Sequence, residues 1–318
     1  MNVGGAMVRG ASRIQMNACD TMQAHRARIG RRWRDALSLL TLLTLSLPGI
    51  VIGASTAMAA DISGCGISIS KPGFYLVTQD LTAGGGDCIT VNAARTTIFL
   101  GGHQITGGGN GAGVKFSARA ANSFLEGGNA TISGFAVGVE DDASEIRGDN
   151  FNANGNVSGG VLVNGVESST FSNFQASNNG TYGVHFKGGA SSVAESSQAS
   201  GNGNFGIWLD GTKGLRIDNF DTEQNAVAGV YIGCASSGPG GACSGKTRVS
   251  SANQVYDGFA DGNGPYGIAI DASATANLVT SVEAMNNKSA DMLDLGKCGS
   301  SSWFGNTFTT ATPGGCIN

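Results

Sequence analysis

A short hydrophobic pattern recurs through the middle of the chain: a glycine, then three residues of which the first and third are apolar. Gly160 leads Val161-Leu162-Val163, Gly183 leads Val184-His185-Phe186, Gly206 leads Ile207-Trp208-Leu209, and Gly229 leads Val230-Tyr231-Ile232. Such alternation predicts short strands with one face turned inward. An asparagine stands four positions before each glycine: Asn156, Asn179, Asn202 and Asn225, each 23 residues after the last. The next copy, Asn263, Gly267 and Ile268-Ala269-Ile270, comes after 38 residues, which is one repeat plus a 15-residue insertion at about 234–248. A worn copy follows at Asn287, and earlier copies at Gly113-Val114-Lys115-Phe116 and Gly138-Val139-Glu140 keep the strand without the asparagine.

A unit of 23 residues rich in Gly, Asn, Ser and Thr is made of strands and turns, not helix pairs. It lacks the several leucines of a leucine-rich repeat and the Gly-Gly-x-Gly-x-Asp signature of calcium-binding nonapeptides. A chain that returns to one place every 23 residues, with three short strands per turn, is an all-β parallel β-helix. Successive coils then lie ~4.8 Å apart, and equivalent residues stack in columns. The asparagines predict a hydrogen-bonded ladder. Phe151, Phe174 and Phe220 predict an internal aromatic column, and Ala153, Ala176, Ala199 and Ala260 a column of small residues.

With the first and third strand residues inward, the second and fourth face out. The outward positions read Lys115/Ser117, Glu140/Asp142, Leu162/Asn164, His185/Lys187, Trp208/Asp210, Tyr231/Gly233 and Ala269/Asp271. Rings beside charged and hydrogen-bonding groups suit a sugar chain. Trp208, Asp210, Tyr231 and Asn164 are therefore the expected substrate-binding residues. His185 is the expected general base, with Lys187 steadying a uronate or a developing anion. Glu140 and Asp142 are the expected ligands of a Ca2+ ion. One register problem is visible: the Glu140 coil lies 22 residues before its successor, which puts Asp141 at an inward position. His103 is expected in a turn, in a structural role.

Composition adds the destination. A basic stretch (Arg26, Arg28, Arg31, Arg32, Arg34), an apolar run from Ala36 to Ala54 and the exit Ala57-Met58-Ala59 predict a secretory leader over 1–59, in preference to a retained anchor. The domain is then 60–318, secreted or periplasmic and free of the membrane. The whole chain carries 19 basic and 23 acidic residues; without the leader's 7 arginines and 2 aspartates, 12 and 21 remain, a net charge of −9. That excludes nucleic acid as the expected partner. The six remaining cysteines fall in three local clusters and predict Cys65–Cys88, Cys234–Cys243 and Cys298–Cys316, with caps at about 61–88 and 297–318. No Cys-x-x-Cys spacing suggests zinc.

The segment Thr97-Ile98-Phe99-Leu100-Gly101-Gly102-His103-Gln104-Ile105-Thr106-Gly107 resembles the opening coil of secreted right-handed parallel β-helix repeat proteins of the pectate-lyase-like superfamily. With the asparagine–glycine repeat, the resemblance covers roughly 90–296. It implies the fold, and it implies no single activity. The polygalacturonase set of paired aspartates, the Asp-Pro-His-Glu of alginate epimerases and the calcium–arginine site of pectate lyases are all missing. The resulting expectation is a polysaccharide-binding protein. A lyase- or epimerase-type enzyme and a non-catalytic surface or structural protein are the alternatives.

Overall fold

The computed structural model describes residues 60–241 and 249–317. The expected leader, and the expected partner of Cys234, lie outside them. The described chain is an all-β solenoid built from two parallel sheets. The first sheet begins at Ala60–Ile62 and runs through Phe124–Ser133, Arg147–Ala153, Thr170–Gln175, Val193–Gln198, Arg216–Asp221, Gln254–Phe259 and Leu278–Ala284 to Ser302–Phe304. The second, eleven strands deep, runs from Ile67–Ile69 through Tyr182–Lys187, Phe205–Asp210, Ala228–Ile232 and Tyr266–Ile270 to Ala311–Thr312. No helix among the described residues is long and apolar enough to cross a membrane.

The strands follow from the alternation. Val161, Val163, Val184, Phe186, Ile207, Leu209, Val230 and Ile232 all enter one continuous core. The leading glycine is required by close approach, since a Cβ at Gly183 would sit 2.7 Å from the Ala199 Cβ and 2.5 Å from the Ala176 carbonyl oxygen. The small-residue column and the glycine column thus fit into each other.

The asparagine ladder forms as the spacing predicts. The Asn156 backbone amide donates to the Asn179 side-chain oxygen at 2.9 Å, Asn179 to Asn202 at 2.9 Å, Asn202 to Asn225 at 3.0 Å and Asn225 to Asn263 at 3.0 Å. The side-chain amides add parallel bonds along the same axis. Phe151 and Phe174 stack at 5.4 Å, but Ser197 occupies the coil between Phe174 and Phe220, so the expected aromatic column is broken there.

Among the described residues, each turn contributes to two sheets, with only a column of single-residue parallel bridges at Glu167, Ala190, Lys213, Ser251 and Thr275 between them, and the first sheet is bent. In the first sheet Asn150, Asn173, Ser196, Asn219, Asp257 and Ser281 all have positive φ, between 50° and 57°. Short polar side chains tolerate this left-handed conformation best. Repeated on successive rungs, it creases the sheet instead of separating two strands.

The 22-residue spacing leaves the register intact: Glu140 pairs with Lys115 on one side and Leu162 on the other. Asp141 therefore does point into the core. It is fully buried, and the Ala143 amide donates to its carboxyl at 2.9 Å. Disulfides join Cys65 to Cys88 and Cys298 to Cys316. Both segments expected as caps are wound into the stack: Ile67–Ile69 pairs with Ile89–Val91, and Ala311–Thr312 pairs with Ala290–Asp294.

Candidate functional site

On the outer side of the second sheet, register brings Glu140, Leu162, His185, Trp208, Tyr231 and Ala269 into one column, as the alternation predicts. His185 stacks on Trp208 at 3.9 Å and 4° between planes, and Trp208 on Tyr231 at 6.4 Å. Tyr182 and Phe205 flank them in the neighbouring column. The expectation of an open platform is corrected here. Trp208 is 7% exposed and Tyr231 0%, and together with Tyr182, Phe205, Ala228, Ala269 and Leu293 they form a second apolar core outside the helix.

The start of the insertion makes the roof. Trp208 Nε1 donates to the Gly233 carbonyl at 2.7 Å, and the Ala235 amide donates to the Tyr231 hydroxyl at 3.3 Å. That hydroxyl donates to Asp271 at 2.9 Å, and Asp271 also accepts from the Gly240 amide. Asn204 reaches the Ser236 carbonyl from the side. The polar tips of both rings are used to hold the chain that covers them.

The other expected residues fall around this column. His185 is buried; its Nε2 lies 3.8 Å from an Asp210 carboxyl oxygen and makes no hydrogen bond. Burial disfavours its protonated form and lowers its pKa, with Asp210 opposing. Lys187 and Asn164 are exposed. The cation between Glu140 and Asp142 is the Lys115 ammonium, 2.7 and 3.3 Å from them, and Asn164 donates to Asp142 at 3.0 Å. This carboxylate pair does not fit calcium, because the Lys115 ammonium already sits between the two groups; no group of three or more metal-ligating side chains occurs among the described residues. His103 bridges coils in a turn, its Nδ1 3.2 Å from Asp80. The Asp80 carboxyl is lowered by the Gln104 amide that donates to it and by His103.

The open site is on the other sheet. A cleft of about 420 Å³ follows the left-handed crease and is lined by Asp257, Phe259, Ser281, Glu283, Gly305 and Thr307. Phe304 is 58% exposed and Phe259 46%, on opposite sides of the crease, so two phenyl rings meet water where Trp208 does not. Tyr256 stands in register with Thr280 and Phe304, with Arg216 4.8 Å above its ring.

Carboxylates crowd this end of the face. Asp221, Phe259 and Glu283 occupy one row on three consecutive coils, and Glu223 and Asp261 lie two residues further along two of them. Burial raises the Asp221 carboxyl, helped by Glu223 and Asp261. Burial also raises Asp261, against the Met285 amide that bonds it, with Glu283 and Glu223 adding repulsion. Sequence reasoning missed this site because it followed the glycine-led strands. The signal was present in Tyr256, Thr280 and Phe304, spaced by 24.

The model of the right handed beta helix region matches residues 135–312, more than half of the chain. The chain belongs to that family. Among solved structures, this right-handed β-helix is similar to the Dettilon tailspike protein at 15% identity and TM-score 0.53, covering 80% of this chain and 54% of that one. ORF18 of Geobacillus virus E2 matches at 14% identity and TM-score 0.49, with 78% and 56% covered. The periplasmic alginate epimerase AlgG matches at 11% identity and TM-score 0.44, with 73% and 62% covered. The β-helix thus spans little more than half the length of these proteins, and the likeness shows the fold alone. Among curated proteins, none matches.

Proposed function

We propose that this β-helix is an exported glycan-binding protein that takes a polysaccharide along the outer face of its first sheet. The observation that carries the reading is the creased cleft, flanked by the exposed Phe259 and Phe304 and supplied with carboxylates and hydroxyls. Flat apolar rings pack on the apolar faces of sugars, while acceptors take their hydroxyls. Each row presents one outward group per coil, every ~4.8 Å, a spacing that suits an extended polymer. Export is supported by the two disulfides and by the leader-like composition of 1–59.

Turnover by His185 and Lys187 is the competing reading. It stands second because the His185 ring is buried against Trp208, at the edge of a face whose rings are roofed. A glycan array with the purified protein tests the first reading. A Phe259→Ala, Phe304→Ala double variant with an unchanged far-ultraviolet spectrum is expected to lose about tenfold or more in affinity, since each ring supplies on the order of 1 kcal/mol. Undiminished binding by that variant would remove the cleft from the account, and release of an unsaturated product would favour the competing reading.

A further inference from the structure

The open face is not neutral, and its charge narrows what it can hold. Asp221, Glu223, Asp257, Asp261 and Glu283 lie on three consecutive coils around the cleft. Elsewhere, Glu140 and Asp142 pair with Lys115, and Asp218 pairs with Arg216 at 2.6 Å. Among the described residues, none of the five around the cleft is in an ion pair. The exposed Phe259 ring sits in the row between Asp221 and Glu283, so an apolar surface has a carboxylate on each side along the helix axis.

Resting on the glycan-binding reading above, we infer that the polymer held in this cleft carries free amino groups, as in a chain of unacetylated glucosamine-type sugars. A sugar packed on Phe259 would present its ammonium to Asp221 or Glu283, and to the ring face itself. Carboxylates one coil apart, ~4.8 Å, are spaced to receive separate ammonium groups. They form no chelating cluster, in keeping with the lack of a metal-ligating group among the described residues. A polyuronate would instead set its carboxylates against these five. Burial first, and neighbouring carboxylates second, displace the Asp221 and Asp261 carboxyls upward, and a bound cation would offset the repulsive part.

The test is calorimetry on the purified protein with three hexasaccharides of one linkage: β-1,4-glucosamine, its fully N-acetylated form and a hexuronate. The amine form is expected to bind about tenfold or more tighter than the acetylated form, with the advantage shrinking at high salt, and the hexuronate to bind least. An Asp261→Asn, Glu283→Gln double variant should lose that advantage, its affinity for the amine form falling more than its affinity for the acetylated form. A Glu195→Gln control on the same sheet should behave as wild type. Equal affinity for amine and acetylated forms, or preference for the hexuronate, overturns the inference and leaves the glycan reading standing. Silence from all three, with a silent array, overturns both. An unaltered preference in the double variant moves the amine site away from this cleft and equally overturns the assignment.

Discussion

At the scale of the single residue, two buried polar groups have opposite energetics. Asn202 accepts from the Asn179 backbone and side-chain amides and donates to Asn225, so every part of its side chain is used in the ladder. Asn202→Ala leaves buried donors without partners and is expected to cost roughly 2–4 kcal/mol, read as a lowered denaturation midpoint. Asp141 is the reverse case. Burial lifts its carboxyl to about 7, because water is excluded from the charge while the hydrogen bonds from Ser169 and Ala143 only partly compensate. The native state keeps this proton to higher pH than the unfolded chain, so the acid costs nothing below about pH 4. The cost grows as pH rises toward 7 and is fully present above it. Asp141→Asn should therefore stabilise the protein by roughly 1–3 kcal/mol at pH 8 and hardly at all at pH 4, measured by urea unfolding at both. Equal effects at the two pH values would show that the carboxyl is not held protonated.

The element that most changes the functional picture is the chain after Tyr231. Trp208 and Tyr231 were legible as outward, because alternation about a buried column is a local property of the strand. Their cover was not legible. It depends on Asp271, 40 residues from Tyr231, and on glycine-rich chain with no periodicity to read. The crease of the first sheet was hidden for another reason: its left-handed position is filled by Asn, Ser and Asp in turn, so no one residue type marks the column. Tyr231→Phe removes the hydroxyl that receives the Ala235 amide and binds Asp271. It should cost about 1–3 kcal/mol and raise acrylamide quenching of Trp208 fluorescence. Quenching equal to wild type would mean that the roof does not depend on this hydroxyl.

Across the whole molecule, repetition made the architecture readable and left the function unread. A 23-residue spacing fixes which residues stack, and every rung repeats the same buried column, so the fold could be derived from Asn, Gly and Val alone. A site is a local departure from repetition, and here the departures are rings at Tyr256, Phe259 and Phe304 among carboxylates. The ends show how such a stack is held closed. Cys65–Cys88 spans 23 residues at the N-terminal edge, and replacing both with serine should cost roughly 3 kcal/mol. Thermal unfolding with and without reductant checks this, and a change confined to the reducing condition is the wrong sign for the disulfide-free variant.

The central claim is that polysaccharide is held on the creased first sheet and not on the roofed column of the second. Amide hydrogen exchange, with and without the glucosamine hexasaccharide, addresses it directly. New protection over residues 254–261 and 278–285, with 205–210 and 228–232 unaltered, is the predicted result. Protection centred on Trp208 and Tyr231, or none on either sheet, would contradict it.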